Sequence, residues 1–538
     1  MDDQQYRSAL SPFQHSSFAV MWTALMVSNL GAWIHSVGAG WLMTSLSPSP
    51  FIISLVQTVT TLPIFLFGLP AGALADIFDR RILLLITNGL MLVTAGVFAV
   101  MVWMDLVTAE SLLLITFLLG TGAAFMAPAW QAVIPKTVPR EVMPQAVALG
   151  GISINISRAI GPAVAGVLIS IYGIVSPFVA NTLLFIIIVL ALLYWKNKSA
   201  ARQTVLPMEK VTTAMKTGIR YAIHSQPLRI TIWHVLGYMF FGNAFWGLLP
   251  FIAKNRLGGD AGFYGLLIGA VGVAAVVGAL LLPRLTLRWT ANQLVAAGSI
   301  GTSIVTGYFA FAGSQLLAIV AGFVFGFSWI LILTTVNVSA QQALPDWVRG
   351  RGLAIYMMAL FGSMSIGAAF WGWLAGQATF EISMLAAAIG GILFAGVSYR
   401  HNLQSAAHID HSPSHHWPAP VHQSHISHDA GPVLVQICYQ IEDRDRPGFL
   451  REIYKLGKAR KRNGASGWGV FEDGQHKGRF IEQFMEKNWV EHLRHHDRMT
   501  LADKAVQEAV LRFHGGAEPP QVFHLVAAGR SGSGDPDS

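Results

Sequence analysis

Four charged residues stand close together in the stretch GALADIFDRR, residues 72–81, where one apolar run ends at Ala75 and the next begins at Ile82. They are Asp76, Asp79, Arg80 and Arg81. At this spacing Arg80 or Arg81 can reach Asp76 at a helix end and form a charge-assisted hydrogen bond. The turn is therefore a candidate for a charge-based contact between helices. A basic pair that only orients the chain in a membrane is the alternative.

A second group of candidates lies inside the apolar runs. Arg158 is the clearest, because an arginine at the centre of a membrane helix costs about 2.5 to 3.5 kcal/mol on insertion scales. We therefore predict that it faces a substrate path or an acidic partner. The other candidates for such a path are Asn29, His35, Gln131, Asn155, Asn243 and Trp246. For each amide an interhelical hydrogen bond is the alternative, and for His35 it is a neutral core position.

The runs that carry these residues have the composition of membrane spans. The chain has 538 residues, is 53% hydrophobic and 12% charged, and has a mean hydropathy of +0.51, whereas soluble domains carry about 25% charge. A membrane helix needs about 20 apolar residues to cross the hydrocarbon core. Twelve such runs lie near 17–44, 51–75, 82–104, 111–134, 145–170, 174–195, 228–253, 262–285, 291–313, 315–338, 352–377 and 380–398.

The distribution of Lys and Arg predicts the orientation of these spans. The loops that follow even-numbered spans are rich in both residues, whereas the loops that follow odd-numbered spans carry only Lys254 and Arg256. Positive loops stay inside, so both termini are predicted to be cytoplasmic at the inner membrane. The net charge of +8 then comes mostly from the Lys and Arg residues of the cytoplasmic loops, which orient the spans. We therefore expect the lipid bilayer, not nucleic acid, as the surface the chain meets.

The two halves of the apolar region resemble each other. AWQAVIPKTVPREVMPQAVAL, from Ala129, aligns with SAQQALPDWVRGRGLAIYMMA, from Ser339. A duplicated loop predicts two six-helix halves. Such halves suit a transporter that rocks around a substrate site near the middle of the membrane.

The charged turn resembles the loop motif of the major facilitator superfamily, in the form G-x-x-x-D-x-x-x-R-R. SNLGAWIHSVGAGWLM in the first span and AFMAPAWQAVIPKTVPREVMPQAVALGGISINISRAIGPAVAG in the fourth and fifth resemble the branch that contains the enterobactin exporter and related drug and macrolide efflux proteins. The resemblance covers residues 10–400. It implies that the charged turn latches the two halves in the outward-facing state, although Ile77 and Asp79 depart from the usual motif.

The fifth run is rich in small residues. Gly150, Gly161, Pro162 and Gly166 resemble the motif that antiporters of this superfamily carry in that helix. Small residues let helices approach closely, and a proline bends a helix by removing one hydrogen bond. Generic helix packing is the alternative. No Asp or Glu lies deep inside a run, so a proton-coupled cycle would use acids near helix ends or His35, whose pKa lies in the useful range.

The last third of the chain has a different composition. Residues 401–431 form a His-rich linker in which loose metal binding or pH sensitivity is an alternative to a plain spacer. Residues 432–530 predict a β-α-β-β-α-β, ferredoxin-like unit. This unit resembles dimeric modules related to antibiotic-biosynthesis monooxygenases. We expect its histidines, His492, His495 and His496, to be solvated, with no catalytic set, cofactor or metal site.

An open sheet face is expected in this module. We place Val433, Val435, Ile437 and Tyr439 on it. An apolar face needs a cover, so residues 432–530 are predicted to form a homodimer.

The predicted fold is an all-α membrane protein with twelve transmembrane helices in two six-helix halves, followed by a small soluble α+β domain. The predicted boundaries are 1–195, 196–227, 228–400, 401–431, 432–530 and 531–538. The predicted function is export of amphipathic, siderophore- or drug-like molecules by proton antiport. Import of the same class of molecule is one alternative, and a membrane-tethered monooxygenase-like sensor or enzyme is another.

Overall fold

The computed structural model describes residues 10–133, 137–195, 211–403, 410, 412, 414 and 429–527. The repeated Ile134-Pro135 pair, the linker histidines from His408 to His428 and the predicted tail 531–538 lie outside these residues. One unit comprises Met1–Met208, Ile230–Val338 and Tyr356–Gln404. The other comprises Glu209–Arg229, Ser339–Ile355 and Ser405–Ser538. Each unit is described by itself below.

Long helices form the first unit and extend into the second at three ends. They are α1 (Ser16–Leu46), α2 (Pro50–Ile77), α3 (Arg80–Trp103), α4 (Ala109–Val133), α5 (Met143–Tyr172), α6 (Ser176–Tyr194), α8 (Gln226–Phe251), α9 (Ala261–Leu285), α10 (Ala291–Phe309), α11 (Gln315–Gln342), α12 (Arg349–Gln377) and α13 (Phe380–Tyr399). The short amphipathic α7 (Val211–His224) belongs to the second unit. Within the described residues, 11 helices are long and apolar enough to cross a membrane. The prediction of a helical, multi-span membrane protein is confirmed.

The helix α10 lies outside that set of eleven. It has 19 residues and a row of buried hydroxyl groups at Ser299, Thr302, Ser303 and Thr306. Residues three and four apart share a helix face, so these hydroxyls form one polar stripe. Two of them donate to carbonyls of their own helix: Thr302 to Gly298 at 3.0 Å and Thr306 to Thr302 at 2.8 Å. Twelve spans in two six-helix halves therefore stay a prediction.

The second unit contains a four-stranded antiparallel sheet. Its elements are β1 (Val433–Gln440), α14 (Arg446–Asn463), β2 (Ser466–Glu472), β3 (Arg479–Glu486), α15 (Trp489–Arg498), α16 (Leu501–Leu511) and β4 (Gln521–Val526), and the strand order is β2-β3-β1-β4. This agrees with the predicted order of elements, except that the second helix is split. Thr500 starts α16 with a capping box to Asp503, which explains the break.

The prediction of which β1 residues face outward is wrong. Val433, Val435, Ile437 and Tyr439 are buried and pack in one cluster with residues of α14. Alternate residues of a strand face opposite sides, so Leu434 and its neighbours form the open face instead. The exposed apolar side chains on that face are Phe471, Met485, Phe523 and Leu525.

The α7 helix and the segment 339–355 pack with the sheet module inside the second unit. The Tyr221 hydroxyl of α7 donates to the Ala343 carbonyl at 3.1 Å. The Arg498 guanidinium lies over the Trp347 ring at 4.9 Å, and Arg462 lies over the Tyr221 ring at 5.7 Å. Cation–π contacts of this kind stabilise by about 0.5 to 2 kcal/mol each. The module is thus packed against the chain that connects the membrane helices.

Candidate functional site

The charged turn joins two helix ends. The Asp79 side chain caps α3 by accepting from the backbone amides of Arg81 at 2.9 Å and Ile82 at 3.1 Å. The Arg81 guanidinium donates to the carbonyls of Leu192 at 3.0 Å and Leu193 at 2.7 Å. These carbonyls end α6, where a cation also complements the helix dipole. Arg81 therefore fastens the start of α3 to the end of α6.

Two other charges of the turn are less fully placed. Asp76 lies in the last turn of α2, and its side chain lies outside the described residues. The Nε atom of Arg80 is buried with no hydrogen-bond partner among the described residues. A latch between the halves through these groups stays a prediction.

Arg158 lies at the middle of α5. It is 15 residues from the helix start at Met143, or about 22 Å at 1.5 Å per residue. Its Nη1 atom is buried and has no hydrogen-bond partner within the part of the chain that the structure describes. Its backbone lies against α9, because a Cβ atom on Gly272 would be 2.8 Å from the Arg158 carbonyl oxygen. A buried guanidinium nitrogen without a protein acceptor is suited to bind an anionic group.

Two candidates on α1 also carry buried polar atoms. The Nδ2 atom of Asn29 and the Nε2 atom of His35 have no hydrogen-bond partner among the described residues. The His35 ring is buried against Phe178 at 5.6 Å and Phe98 at 6.0 Å between centroids. These contacts place the His35 ring between aromatic side chains of α3 and α6.

The remaining predicted path residues differ in their surroundings. Asn155 donates to the Gly151 carbonyl of its own helix at 2.9 Å, and Gln131 is exposed. Asn243 is fully buried and donates to the Met364 carbonyl, which joins α8 to α12. Trp246 packs against Trp329 at 5.7 Å, in an aromatic cluster between α8 and α11. The structure thus distributes these residues over several contacts and does not gather them in one ring.

A small cleft was not predicted from the sequence. Tyr238 and Phe241 of α8, Phe394 of α13 and the hydroxyl stripe of α10 line it. The available signal was the spacing of Ser299, Thr302, Ser303 and Thr306, which places four hydroxyls on one face.

The glycine motif of α5 forms close helix crossings. A Cβ atom on Gly166 would lie 3.0 Å from the Gly265 Cα atom of α9, and one on Gly161 would lie 2.6 Å from the Trp33 Cβ atom of α1. Pro162 is buried between them. Nothing lies within 4 Å of a Cβ atom on Gly150. Gly161 and Gly166 therefore let α5 pack against α1 and α9, as small residues do in membrane helices.

Contacts near the loop residue Lys254 also connect the predicted halves. The Lys254 ammonium donates to the Thr44 carbonyl at 2.9 Å and to the Ser45 hydroxyl at 3.2 Å. The Trp41 ring stacks on the Tyr264 ring at 5.8 Å. Lys254 was predicted only as a loop charge. It is one of two basic residues in the loops that follow odd-numbered spans, and this rarity was a signal that it has a specific contact. These contacts hold the end of α1 against the end of α8.

The histidines of α15 are not solvated as expected. His492 and His495 are each 1% exposed, and both bind the carboxylate of Glu486. The reason is that His492 and His495 lie on the face of α15 that packs against the sheet. Buried imidazoles bonded to one carboxylate form a defined polar centre.

Comparisons with known proteins agree with a transporter. The family described as transmembrane secretion effector matches residues 7–532. The staphyloferrin A transporter of Staphylococcus aureus is 26% identical over 353 residues, which is 61% of this chain and 82% of that protein. The enterobactin exporter EntS of Escherichia coli K12 is 24% identical over 405 residues, which is 74% of this chain and 94% of that protein.

Solved structures show the same fold for the membrane part. The nucleoside transporter NupG has a TM-score of 0.56 at 12% identity and covers 72% of this chain and 98% of its own. A D-xylose-proton symporter has a TM-score of 0.56 at 12% identity and covers 71% of this chain and 97% of its own. With the family match over nearly the whole length, this chain belongs to the transmembrane secretion effector family and is a transporter of the major facilitator superfamily.

Proposed function

We propose that this transporter exports amphipathic small molecules of the siderophore or drug type across the inner membrane by alternating access, in exchange for protons. The observation that carries the proposal is Arg158, whose Nη1 atom is buried at mid-helix with no protein acceptor among the described residues. A charge that is costly in a membrane is retained where it has a function. An anionic substrate group, such as a catecholate or carboxylate, supplies the missing acceptor.

The names of the relatives support this class of substrate. One is called a transporter of staphyloferrin A and the other an exporter of enterobactin. The guanidinium fork of an arginine matches a carboxylate or a pair of catechol oxygens. The aromatic cluster around Trp246 supplies apolar surface for the rest of an amphipathic molecule. We assign Asn29, Asn155, Gln131, His35 and Asn243 to the same path.

Alternating access requires contacts that form in one state and separate in another. The close crossing of Gly166 with Gly265 and the hydrogen bonds of Lys254 to the end of α1 join the two predicted halves. We assign Asp76, Asp79, Arg80 and Arg81 to the predicted cytoplasmic side of this cycle. Exchange between the two sets of contacts moves the substrate site from one side of the membrane to the other.

Proton coupling needs a group that gains and loses a proton during the cycle. Glu381 is paired with Arg256 at 2.8 Å, and Asp79 caps a helix. Asp76, at the end of α2, and His35, inside α1, are the groups we assign to the proton.

The sheet module has an accessory role in this proposal. Its strand order fits the monooxygenase-related modules that it resembles, but fold does not carry activity. We assign it to dimerisation through the open face that contains Phe523 and Leu525, with both chain termini in the cytoplasm.

Everted inner-membrane vesicles test the transport proposal. An inside-acid proton gradient should drive accumulation of an anionic siderophore in vesicles that contain the parent chain and not in vesicles that contain Arg158→Gln. Uptake of siderophores or drugs from the medium by intact cells would show import instead. No movement in either direction for a panel of siderophores and drugs would contradict the proposal.

A further inference from the structure

Three histidines of the sheet module converge on one point. His492 and His496 lie one turn apart on α15, and His524 lies on the edge strand β4. The ring centroids of His492 and His496 are 4.7 Å apart, and those of His492 and His524 are 4.8 Å apart. One ring nitrogen of each histidine lies within 4.8 Å of the others. Around a tetrahedral zinc ion with Zn–N bonds of 2.0 to 2.1 Å, such nitrogens are about 3.3 Å apart. His524 is exposed, and a small rotation of its side chain brings the three nitrogens from their present spacing to that of a zinc site.

His492 has the bonding that metal-binding histidines share. Its Nδ1 atom is 2.6 Å from Glu486 Oε2, and its Nε2 atom is buried with no hydrogen-bond partner among the described residues. A carboxylate on one ring nitrogen fixes the tautomer and leaves the other nitrogen as a ligand. The ring is 1% exposed, so this nitrogen points into the module toward His496 and His524.

The carboxylate of Glu486 lies directly behind this cluster. It contacts Nδ1 of both His492 and His495. A carboxylate behind a ligating imidazole orients the ring and increases its basicity as a ligand.

We propose that His492, His496 and His524 bind a divalent first-row transition metal ion, with Glu486 as the carboxylate that orients His492. Three imidazoles suit zinc, nickel, cobalt, copper or ferrous iron, and do not suit magnesium or calcium. The site leaves a coordination position open, which water or a small ligand fills.

The test uses the full chain in detergent with a purification tag that contains no histidine. All linker histidines from His401 to His428 are replaced by glutamine, because a His-rich tract can itself bind metal. Zn²⁺ is titrated in competition with a chromophoric chelator, and Co²⁺ is followed by its visible absorption. We expect one saturable site per chain and a Co²⁺ spectrum of a nitrogen-ligated ion.

Variants distinguish this site from others. His524→Gln lies on an exposed edge strand and should weaken binding by at least about tenfold, since loss of even an outer-shell partner weakens metal sites by about 10- to 100-fold. The control His476→Gln changes an exposed histidine that bonds Asp473 in the same module and should leave binding unchanged. Circular dichroism checks that each variant is folded. Parent-like affinity in folded His524→Gln, or no saturable site in the linker-substituted chain, would overturn the proposal.

Discussion

Thr58 and Ser365 each donate a hydroxyl to the other's backbone carbonyl, at 3.3 and 3.2 Å. Thr58 lies on α2 and Ser365 on α12, so the pair joins the first predicted half to the second. Both hydroxyls are buried. A reciprocal pair of this kind holds only while the two helices stay side by side, so in the alternating-access cycle that we propose it belongs to one state.

Loss of this hydrogen-bonded pair should shift the equilibrium between the two states of the proposed cycle. Ser365→Ala removes one hydrogen bond of about 1 kcal/mol, which changes a two-state equilibrium about fivefold. Transport rates in vesicles and the accessibility of an engineered cysteine measure the shift. Thr60→Val is the matched control, because the Thr60 hydroxyl donates to the Val56 carbonyl of its own helix. Equal shifts for control and variant would show that the pair does not bias the cycle.

Arg158 should act through its charge. Arg158→Lys keeps the charge and loses the planar fork, whereas Arg158→Gln loses both. We expect partial transport in the first variant and none in the second, with normal membrane insertion by both. Substrate affinity and rate in vesicles measure the effect. Full transport in both variants would show that transport does not use the guanidinium.

Asp76 should affect turnover more than substrate affinity. The residue lies at the end of α2, far along the helix from any mid-membrane site, so Asp76→Asn should slow transport and leave affinity within a few fold. Asp260→Asn is the control, because Asp260 caps α9 by accepting from the Phe263 amide and asparagine caps a helix about as well as aspartate. A parent-like rate in Asp76→Asn would remove Asp76 from the latch.

The sheet module should lose stability in acid through Asp503. Burial alone raises the pKa of Asp503, but Arg462 and hydrogen bonds from Asn463 and Thr500 outweigh it and lower that pKa. Because the folded pKa lies below the unfolded one, this stabilisation is present above about pH 4 and decreases as the pH falls through the folded value. Breaking such a buried pair costs about 3 kcal/mol.

Asp503→Asn should therefore lower the unfolding midpoint of the module at neutral pH and flatten its acid dependence. Fluorescence of the module's tryptophans in the full chain measures this. Asp443→Asn removes an exposed partner of Lys477 and should have little effect. An unchanged acid dependence in Asp503→Asn would contradict the assignment.

Dimerisation should involve the open face of the sheet. Cys438 lies on that face, between Ile481 and Gln521 in register, and it is the chain's single cysteine. A short bifunctional maleimide should cross-link two full chains in the membrane. Phe523→Glu should abolish the product, and Val522→Glu, on the opposite side of β4, should reduce it less. A monomer by mass photometry at micromolar concentration would contradict the proposal.

The sequence predicted the parts of the fold that depend on composition. Runs of about 20 apolar residues can satisfy their backbone only as helices in lipid, so the spans followed directly. The sequence did not predict which face of β1 is buried. Val433, Leu434 and Val435 are all apolar, so alternation alone does not identify the side that the helices cover. Only the packing of Phe449 and Leu456 against the odd-numbered residues decides it.

The predicted site was found in part for a similar reason. Arg158 is conspicuous because its charge is costly wherever it lies in a span. Thr58 and Ser365 are ordinary membrane-helix residues, and only their juxtaposition over 307 positions gives them a role. The same holds for His492 and His524, whose distance depends on how β4 pairs with β1. Long-range register is the information that local pattern lacks.

The stacking of Arg498 on Trp347 and of Arg462 on Tyr221 means that the His-rich linker is not the only attachment of the C-terminal module. A protease that cuts between residues 401 and 431 should leave two fragments that co-elute in detergent and separate only when Trp347 is replaced by alanine. The module then behaves as a docked subunit that shares a chain with the transporter.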